Sequence, residues 1–579
     1  MSSTPNYDAK IKAILDATKP GERICELTGE KWQMSEEEIG WYRRFNIPPS
    51  KISPSTNWKL LGYFDASYQF WWNKHFETGE PVLSFHHPGS GIRVLPDTEW
   101  YNRDFSSITY DYKKDKSFFD QMRIFEKQIP FLATYNVIPP EHSLTLVSLG
   151  DKDSYFVFAS KSIHCFYSTC ATDSEDSSLI FLGKSIIKSH HVLHSERLFN
   201  CRYVRESRDC MDSCFLFDCR NCKNCFGATN KRNREYLWFN EQLSKQEWEK
   251  RRSEVDLGKR SIEQMMIKQF ESLLLLDTVW PENFNEKTES STGEYLTNAI
   301  DCSSCFFADG RCIHNYQTTW LFGDSQDNAF DWCPCDSRGT CFCALVYFSN
   351  ELKFCFRCRS CDTCEYCMMC TDCKNCFACI GLSHKQFHIF NKPYSEEEYW
   401  KRIDEIKCLM LDRGEYGKFF PPEFSSAYPP EGGSVIYCGV DEAELSILGG
   451  NKFDPNTEGA TKKDSTDLSV MRQMEEVPDS IDDLIDDWIG VPIYDKNAGR
   501  TFSFLKPEVE YYREFHLPPP NTHFIRRVHE VSQAGQLAIL EDHFCAQCKK
   551  TILTSKNKKF AHRKIYCKSC YLKYLEENG

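Results

Sequence analysis

Nine cysteines stand at every third position between Cys355 and Cys379: Cys355, Cys358, Cys361, Cys364, Cys367, Cys370, Cys373, Cys376 and Cys379. No ordinary element keeps such a row on one side. An α-helix repeats every ~3.6 residues and would wind the row around its cylinder, while a strand repeats every ~2 and would throw it from face to face. Two solutions remain. Either the chain turns corners that reset the phase, as in the short rungs of a β-solenoid, or the thiols converge on metal.

The 579 residues leave room for several domains, and 41% hydrophobic with 27% charged residues describes a soluble, folded composition. Met1–Pro20 holds no apolar block of signal-peptide type, and no segment reaches the ~18 apolar residues of a membrane span. A cytoplasmic protein without a membrane partner is expected. In that setting the 31 cysteines point to metal ligation or reduced, buried thiols ahead of disulfides. The net charge of −14 is uneven: Cys545–Gly579 carries nine Lys/Arg against two Glu, leaving −21 for the rest. That excludes a protein coated in nucleic acid along its whole length.

Two internal repeats organise the chain. Cys219-Arg-Asn-Cys222-Lys-Asn-Cys225-Phe226 matches Cys370-Thr-Asp-Cys373-Lys-Asn-Cys376-Phe377, and the match continues through Phe239-Asn240 and Phe390-Asn391 to Ser244/Glu247 and Ser395/Glu398. Each copy is a cysteine array closed by a capped helix. One helix is expected over Ser244 to about Leu276, the other from Ser395 to Leu411, ending at Gly414. The second repeat joins the two ends: Trp41-Tyr42, Phe45 and Pro48-Pro49 recur as Tyr511-Tyr512, Phe515 and Pro518-Pro519. Around them lie tight turns, Cys25-Glu-Leu-Thr28-Gly29 and, similarly, His75-Phe-Glu-Thr78-Gly79. Zinc at Cys25, or at His75 with His86, lacks a matching CxxC, so structural roles are preferred there.

The expected divisions are 1–60, an N-terminal ribbon-like knuckle and helix; 61–150, an aromatic-rich second ribbon-like domain; 151–243 and 294–394, the two arrays; 244–293, a helical connector; 395–440, a closing helix and loop; 441–480, an acidic linker; and 481–579, a C-terminal zinc-ribbon domain. The fold class is a β-rich α+β multidomain with two cysteine-lined β-solenoid-like modules between zinc-ribbon-like ends.

The strongest local motif is Cys545-Ala-Gln-Cys548 followed by Cys567-Lys-Ser-Cys570. Two CxxC knuckles at this spacing aim four thiolates at one tetrahedral Zn²⁺, and with no spare ligand position the site is closed and structural. Lys549, Lys550, Lys556, Lys558, Lys559, Arg563 and Lys564 lie between the knuckles with Phe560, His562 and Tyr566 interleaved. That mixture suits phosphate contacts and base stacking on RNA or a ribonucleoprotein, or a protein partner; it equally suits a solvated surface. For the arrays, a ladder of packed thiols competes with zinc, iron–sulfur or copper clusters serving storage or redox chemistry. Unequal cysteine use favours the ladder, since Ala228 matches Cys379 and Tyr155 matches Cys305.

Catalytic motifs are thin. Gly183-Lys184-Ser185 lacks the first glycine of a phosphate loop, no carboxylate motif accompanies His190, His191 and His194, and Cys333-Pro-Cys335 is one dithiol among many cysteines. No catalytic residue and no small-molecule substrate are assigned.

The chain resembles the cysteine-rich zinc-ribbon protein family of candidate-phyla, genome-reduced bacteria. The resemblance rests on Cys219–Phe239, Cys370–Glu398, Gly414-Glu-Tyr-Gly-Lys-Phe-Phe-Pro-Pro, Phe502–Pro519 and Cys545–Tyr571. It implies zinc at Cys545, Cys548, Cys567 and Cys570, and implies no activity. Related chains carry paired knuckle cysteines near Cys25 and after the Pro-Pro stop, which are missing here, while Asp495 takes the place of Cys25 in the second copy. The expected function is a non-enzymatic, zinc-binding scaffold, with a metal–thiolate storage or redox protein as the alternative.

Overall fold

Through both arrays, one residue in three adopts the left-handed backbone region. His191, His194, Arg197 and Asn200 in the first array, and Tyr366, Met369, Asp372 and Asn375 in the second, have φ between 43° and 61°. Each stands just before a ladder residue, such as Cys201 after Asn200 or Cys376 after Asn375. This step costs a non-glycine residue ~1 kcal/mol, and Asn and Asp bear it best. It also resets the phase, so every third side chain can face the same interior. Four triplets make one repeat. Arg202 pairs in parallel with Cys214, and Cys214 with Phe226; Ala344, Phe356, Met368 and Ile380 follow the same 12-residue offset.

These coordinates are a computed structural model, described over residues 3–455 and 471–579, with thirteen α-helices among the described residues in a β-rich α+β chain. The nine ladder cysteines are at most 1% exposed and cluster with Cys343, Val346, Leu352 and Leu382. At the equivalent positions the first array uses Ile180, Val192, Val204 and Leu216 beside Cys201, Cys210, Cys219, Cys222 and Cys225. The thiols are therefore interchangeable with aliphatic side chains. Their S–H groups face main-chain carbonyls: Cys355 Sγ lies 3.4 Å from the oxygens of Lys353 and Cys364, and Cys358 Sγ 3.4 Å from that of Cys367. Burial pushes the thiols of Cys355, Cys370 and Cys379 well above the ordinary range. None of the 31 cysteines is joined in a disulfide.

Serines fill ladder positions too. Ser189 N–H donates to Ser177 Oγ (3.1 Å) and Cys201 N–H to Ser189 Oγ (3.0 Å), so each buried hydroxyl has a partner on the next pass. Ala228 occupies the interior, like Cys379. Tyr155 is one step out of register with Cys305, because Ser154 is the fully buried residue there. Both arrays end alike: Asn240 Oδ1 accepts from Thr229 N–H and Asn391 Oδ1 from Ile380 N–H, each at 2.9 Å. The asparagine amide thus occupies main chain that the next pass would otherwise pair.

Ser244 and Ser395 cap the following helices, as expected. The first is two helices, Lys245–Ser253 and Arg260–Leu276, broken where Leu257 turns inward to 2% exposure. In the stretch expected as a linker, Asp441 caps a helix over Glu442–Leu448 and Arg472–Gln473 pairs with Ile493–Tyr494; residues 456–470 lie outside the described residues.

The chain divides into two compact units, nested in sequence. One comprises Met1–Ala133, Asn283–Ala460 and Ala538–Leu540; the other comprises Thr134–Glu282, Thr461–Leu537 and Glu541–Gly579. In the first, the N-terminal helix Glu36–Phe45 packs on the second array, with Trp41 4.7 Å from His314 and Tyr42 stacked on Phe330 at 5.2 Å. In the second, helix Lys506–Glu514 packs on the first array, with Tyr511 5.3 Å from His164. Trp41 and Tyr511, equivalent in the terminal repeat, therefore each meet a histidine of an array, and both histidines are left-handed at φ 51°.

A largely buried ion cage fastens the first unit. Glu365, within the cysteine run, accepts from Lys407 (2.9 Å) and Tyr416 (2.8 Å) and lies 3.5 Å from Lys353, while Lys407 sits 4.3 Å over the Tyr7 ring. Burial opposes ionisation of Glu365, but Lys407 and Lys353 outweigh it and hold the carboxyl down at about 2. Glu365→Gln is expected to cost about 3 kcal/mol in denaturant melts, because it leaves the Lys407 ammonium buried without its counter-ion. Since the folded pKa is depressed, this contribution is whole above the ordinary glutamate range and is lost as pH falls through about 2; the variant should lack that acid dependence. By contrast, Cys367→Ala should cost only about 1 kcal/mol and leave the metal content of the protein unchanged.

Candidate metal centre

Strands Leu540–Phe544 and Thr551–Ser555 form a hairpin with Cys545 at its turn. Cys545 N–H donates to Lys550 O and Lys549 N–H to Cys545 O, both at 2.9 Å, with Lys549 left-handed at φ 65°. This tight turn brings Cys548 back over Cys545. The second pair sits on helix Lys568–Asn578, where Cys567 is the N-cap and Cys570 lies three residues on. Cys567 N–H points at Cys545 Sγ (3.3 Å). Burial opposes ionisation of Cys545, yet the N–H groups of Cys548, Cys567 and Gln547 outweigh it and bring the thiol down to about 6.

The four sulfurs of Cys545, Cys548, Cys567 and Cys570 lie within 4.8 Å of one another, and they are the one such group found among the described residues. Cys548 and Cys567 are 3.7 Å apart. Zn–S bonds of ~2.3 Å in a tetrahedron place sulfurs ~3.8 Å apart, so the donor set and its spacing fit a metal ion. Four thiolates leave no open position for substrate. The frame is anchored on the first array's unit: strand Lys564–Tyr566 pairs in parallel with Val279–Pro281, and Tyr571 hydroxyl bonds Asn230 (2.9 Å) and Asp218.

The basic residues divide. Lys549, Lys550, Lys556, Lys558 and Lys564 are exposed. Lys559 is exposed but paired with Glu271. Arg563 leaves the expected patch altogether: at 3% exposure it donates to Ser555 O (2.6 Å) and sits 5.6 Å from the Trp280 ring. Of the interleaved aromatics, Phe560 and Tyr566 are buried and His562 is exposed. Sequence reasoning missed Phe544, 64% exposed beside the first knuckle; its signal is an aromatic directly before a CxxC.

The other residues singled out do not converge. His190 meets Ser178 (3.2 Å) and Tyr511 (2.8 Å), His191 stacks on Tyr203 at 4.2 Å, and His194 faces Glu206 at 3.3 Å. His75 pairs with Glu99 at 3.2 Å, whereas His86 bonds Ser426 and Leu132 O. Cys333 and Cys335 are 3.4 Å apart, and among the described residues no third ligand joins them. Among the described residues no helix is long and apolar enough to cross a membrane.

Cys567→Ala removes one of the four sulfurs that could hold the ion. Metal analysis should show loss of the bound ion, and hydrogen exchange should show opening across 540–579 with the arrays still protected. No protein-family model, curated protein or solved structure matches the chain.

Proposed function

We propose that this chain is a non-enzymatic scaffold whose C-terminal four-cysteine centre binds zinc and stiffens a basic hairpin that contacts RNA. The observation that carries this reading is the placement of Lys549, Lys550 and exposed Phe544 around the first knuckle. Phosphate contact and base stacking use that combination, and a rigid support lowers the ordering cost of binding. With four thiolates and Zn²⁺ at about −2, the lobe keeps about +5 of its +7.

In this reading the two arrays are β-solenoid-like modules, each with four short sides per 12 residues, and the terminal hairpins are zinc-ribbon-like. Membership in the candidate-phyla family belongs to the same reading. The arrays act as spacers rather than metal stores: aliphatic residues replace thiols at equivalent interior positions, which a cluster's ligand set would not tolerate.

Salt-dependent binding of single-stranded RNA tests the proposal. Lys549→Glu with Lys550→Glu should weaken binding and reduce the salt slope by about 0.7 per lysine removed. Lys556→Glu with Lys558→Glu should act in the same direction, and Lys559→Glu less, since Glu271 already neutralises it. Unchanged affinity in the first pair would remove the RNA reading and leave a protein partner. About one zinc per chain is expected; many metals, or a visible charge-transfer band, would favour the storage reading.

A further inference from the structure

The knuckle at Cys545 is not alone in its backbone. At Cys25, Cys25 N–H donates to Glu30 O (2.8 Å) and Gly29 N–H to Cys25 O (2.9 Å); at His75, His75 N–H donates to Glu80 O (2.8 Å) and Gly79 N–H to His75 O (3.1 Å). At Asp495 the hairpin pairs Asp495 with Arg500. The residue four beyond the first position is left-handed in every case: Gly29, Gly79, Gly499 and Lys549 have φ of 72°, 76°, 64° and 65°. Beyond each hairpin comes a helix whose N-cap is Ser53, Pro96, His523 or Cys567; helices Glu36–Phe45 and Lys506–Glu514 intervene in the first and third frames, and the second helix is the short Asp97–Tyr101. Counting as in the four-cysteine centre, the third and fourth ligand positions are then Ser53 and Thr56, Pro96 and Glu99, or His523 and Arg526.

We propose that these four are one metal-binding frame, of which only the C-terminal copy takes metal, while the other three are held closed by side-chain networks standing where the ion would be. The distances support the correspondence. Cys25 Sγ lies 3.7 Å from Thr56 Oγ1, Thr28 Oγ1 lies 3.5 Å from the same atom, and Ser53 Oγ donates to it at 2.9 Å. His75 bridges the second frame through Nε2 to Glu99 (3.2 Å), while its Nδ1 accepts from Thr78 N–H (3.2 Å). In the third, Asp495 accepts from Asn497 N–H and His523 N–H (both 2.9 Å) and pairs with Arg526 at 3.1 Å. The same turn and helix-start N–H groups that face Cys545 Sγ thus face a carboxylate there. An arginine three residues into the helix supplies the positive charge in place of a cation.

The proposal rests on the zinc reading of the C-terminal centre. Its test is the triple variant Thr28→Cys, Ser53→Cys and Thr56→Cys in the full chain, which completes a four-cysteine set with Cys25. Metal analysis should give one zinc for the wild type and two for the variant, with the cobalt–thiolate absorption doubling after exchange. A folded variant that still binds one zinc overturns the proposal, as does a wild type that binds more than one. If the wild type binds none, the C-terminal reading fails by itself. The variant then reports on the frame alone, one zinc supporting it and none overturning it. Should the triple variant not fold, Asp495→Cys, Ala498→Cys, His523→Cys and Arg526→Cys together apply the same criteria to the third frame.

Discussion

The structure depends on a backbone constraint more than on any side-chain contact: one left-handed residue in every three. L-residues resist that conformation, and here it is imposed not only on Asn and Asp but on Phe354, Tyr366 and Met369. What holds it is over-determination. Each corner is followed by a buried ladder residue, and parallel pairing to the passes on either side satisfies the main chain around it. Cys, Ser, Ala, Val, Leu and Ile share the interior positions. Cysteine brings apolar character and a weak donor that carbonyls can accept.

The same economy governs the ends. A tight turn facing a helix start creates a concentration of N–H donors, and some acceptor must sit against them. Four thiolates, a histidine, a carboxylate with an arginine, or a thiol among hydroxyls each meet that demand. The turn donors recur, the helix-start N–H present at Cys567 and His523 is missing at Pro96, and the acceptor varies.

Much of this was legible in the residues, for identifiable reasons. A period of three excludes a simple helix or strand, so Cys355–Cys379 alone narrowed the choice to phase-resetting corners or convergence on metal. The capping serines Ser244 and Ser395 read correctly because a cap is a local interaction. Ladder serines were not recognised, since a hydroxyl is ordinarily a surface group and its partner here lies 12 residues away. Arg563 was misplaced because charge counting ignores burial; the Cys25 and His75 turns and Asp495 were legible as knuckle-like, but Ser53, Thr56 and Arg526 form no motif without the turn that faces them. Nor does local pattern reveal that the N-terminal helix belongs with the second array, a choice made by contacts such as Trp41 with His314, far apart in sequence.

That nesting has a consequence for biosynthesis. A chain made from its N-terminus presents Glu36–Phe45 long before the array that will cover Trp41 and Tyr42, and it completes the first array before the helix that will cover His164. Neither compact unit can close during the first half of translation, and the second waits for Tyr511 and Tyr571, close to the end. The aromatic residues of both terminal helices and the array faces they cover are thus made far apart in time, so each unit closes late in synthesis.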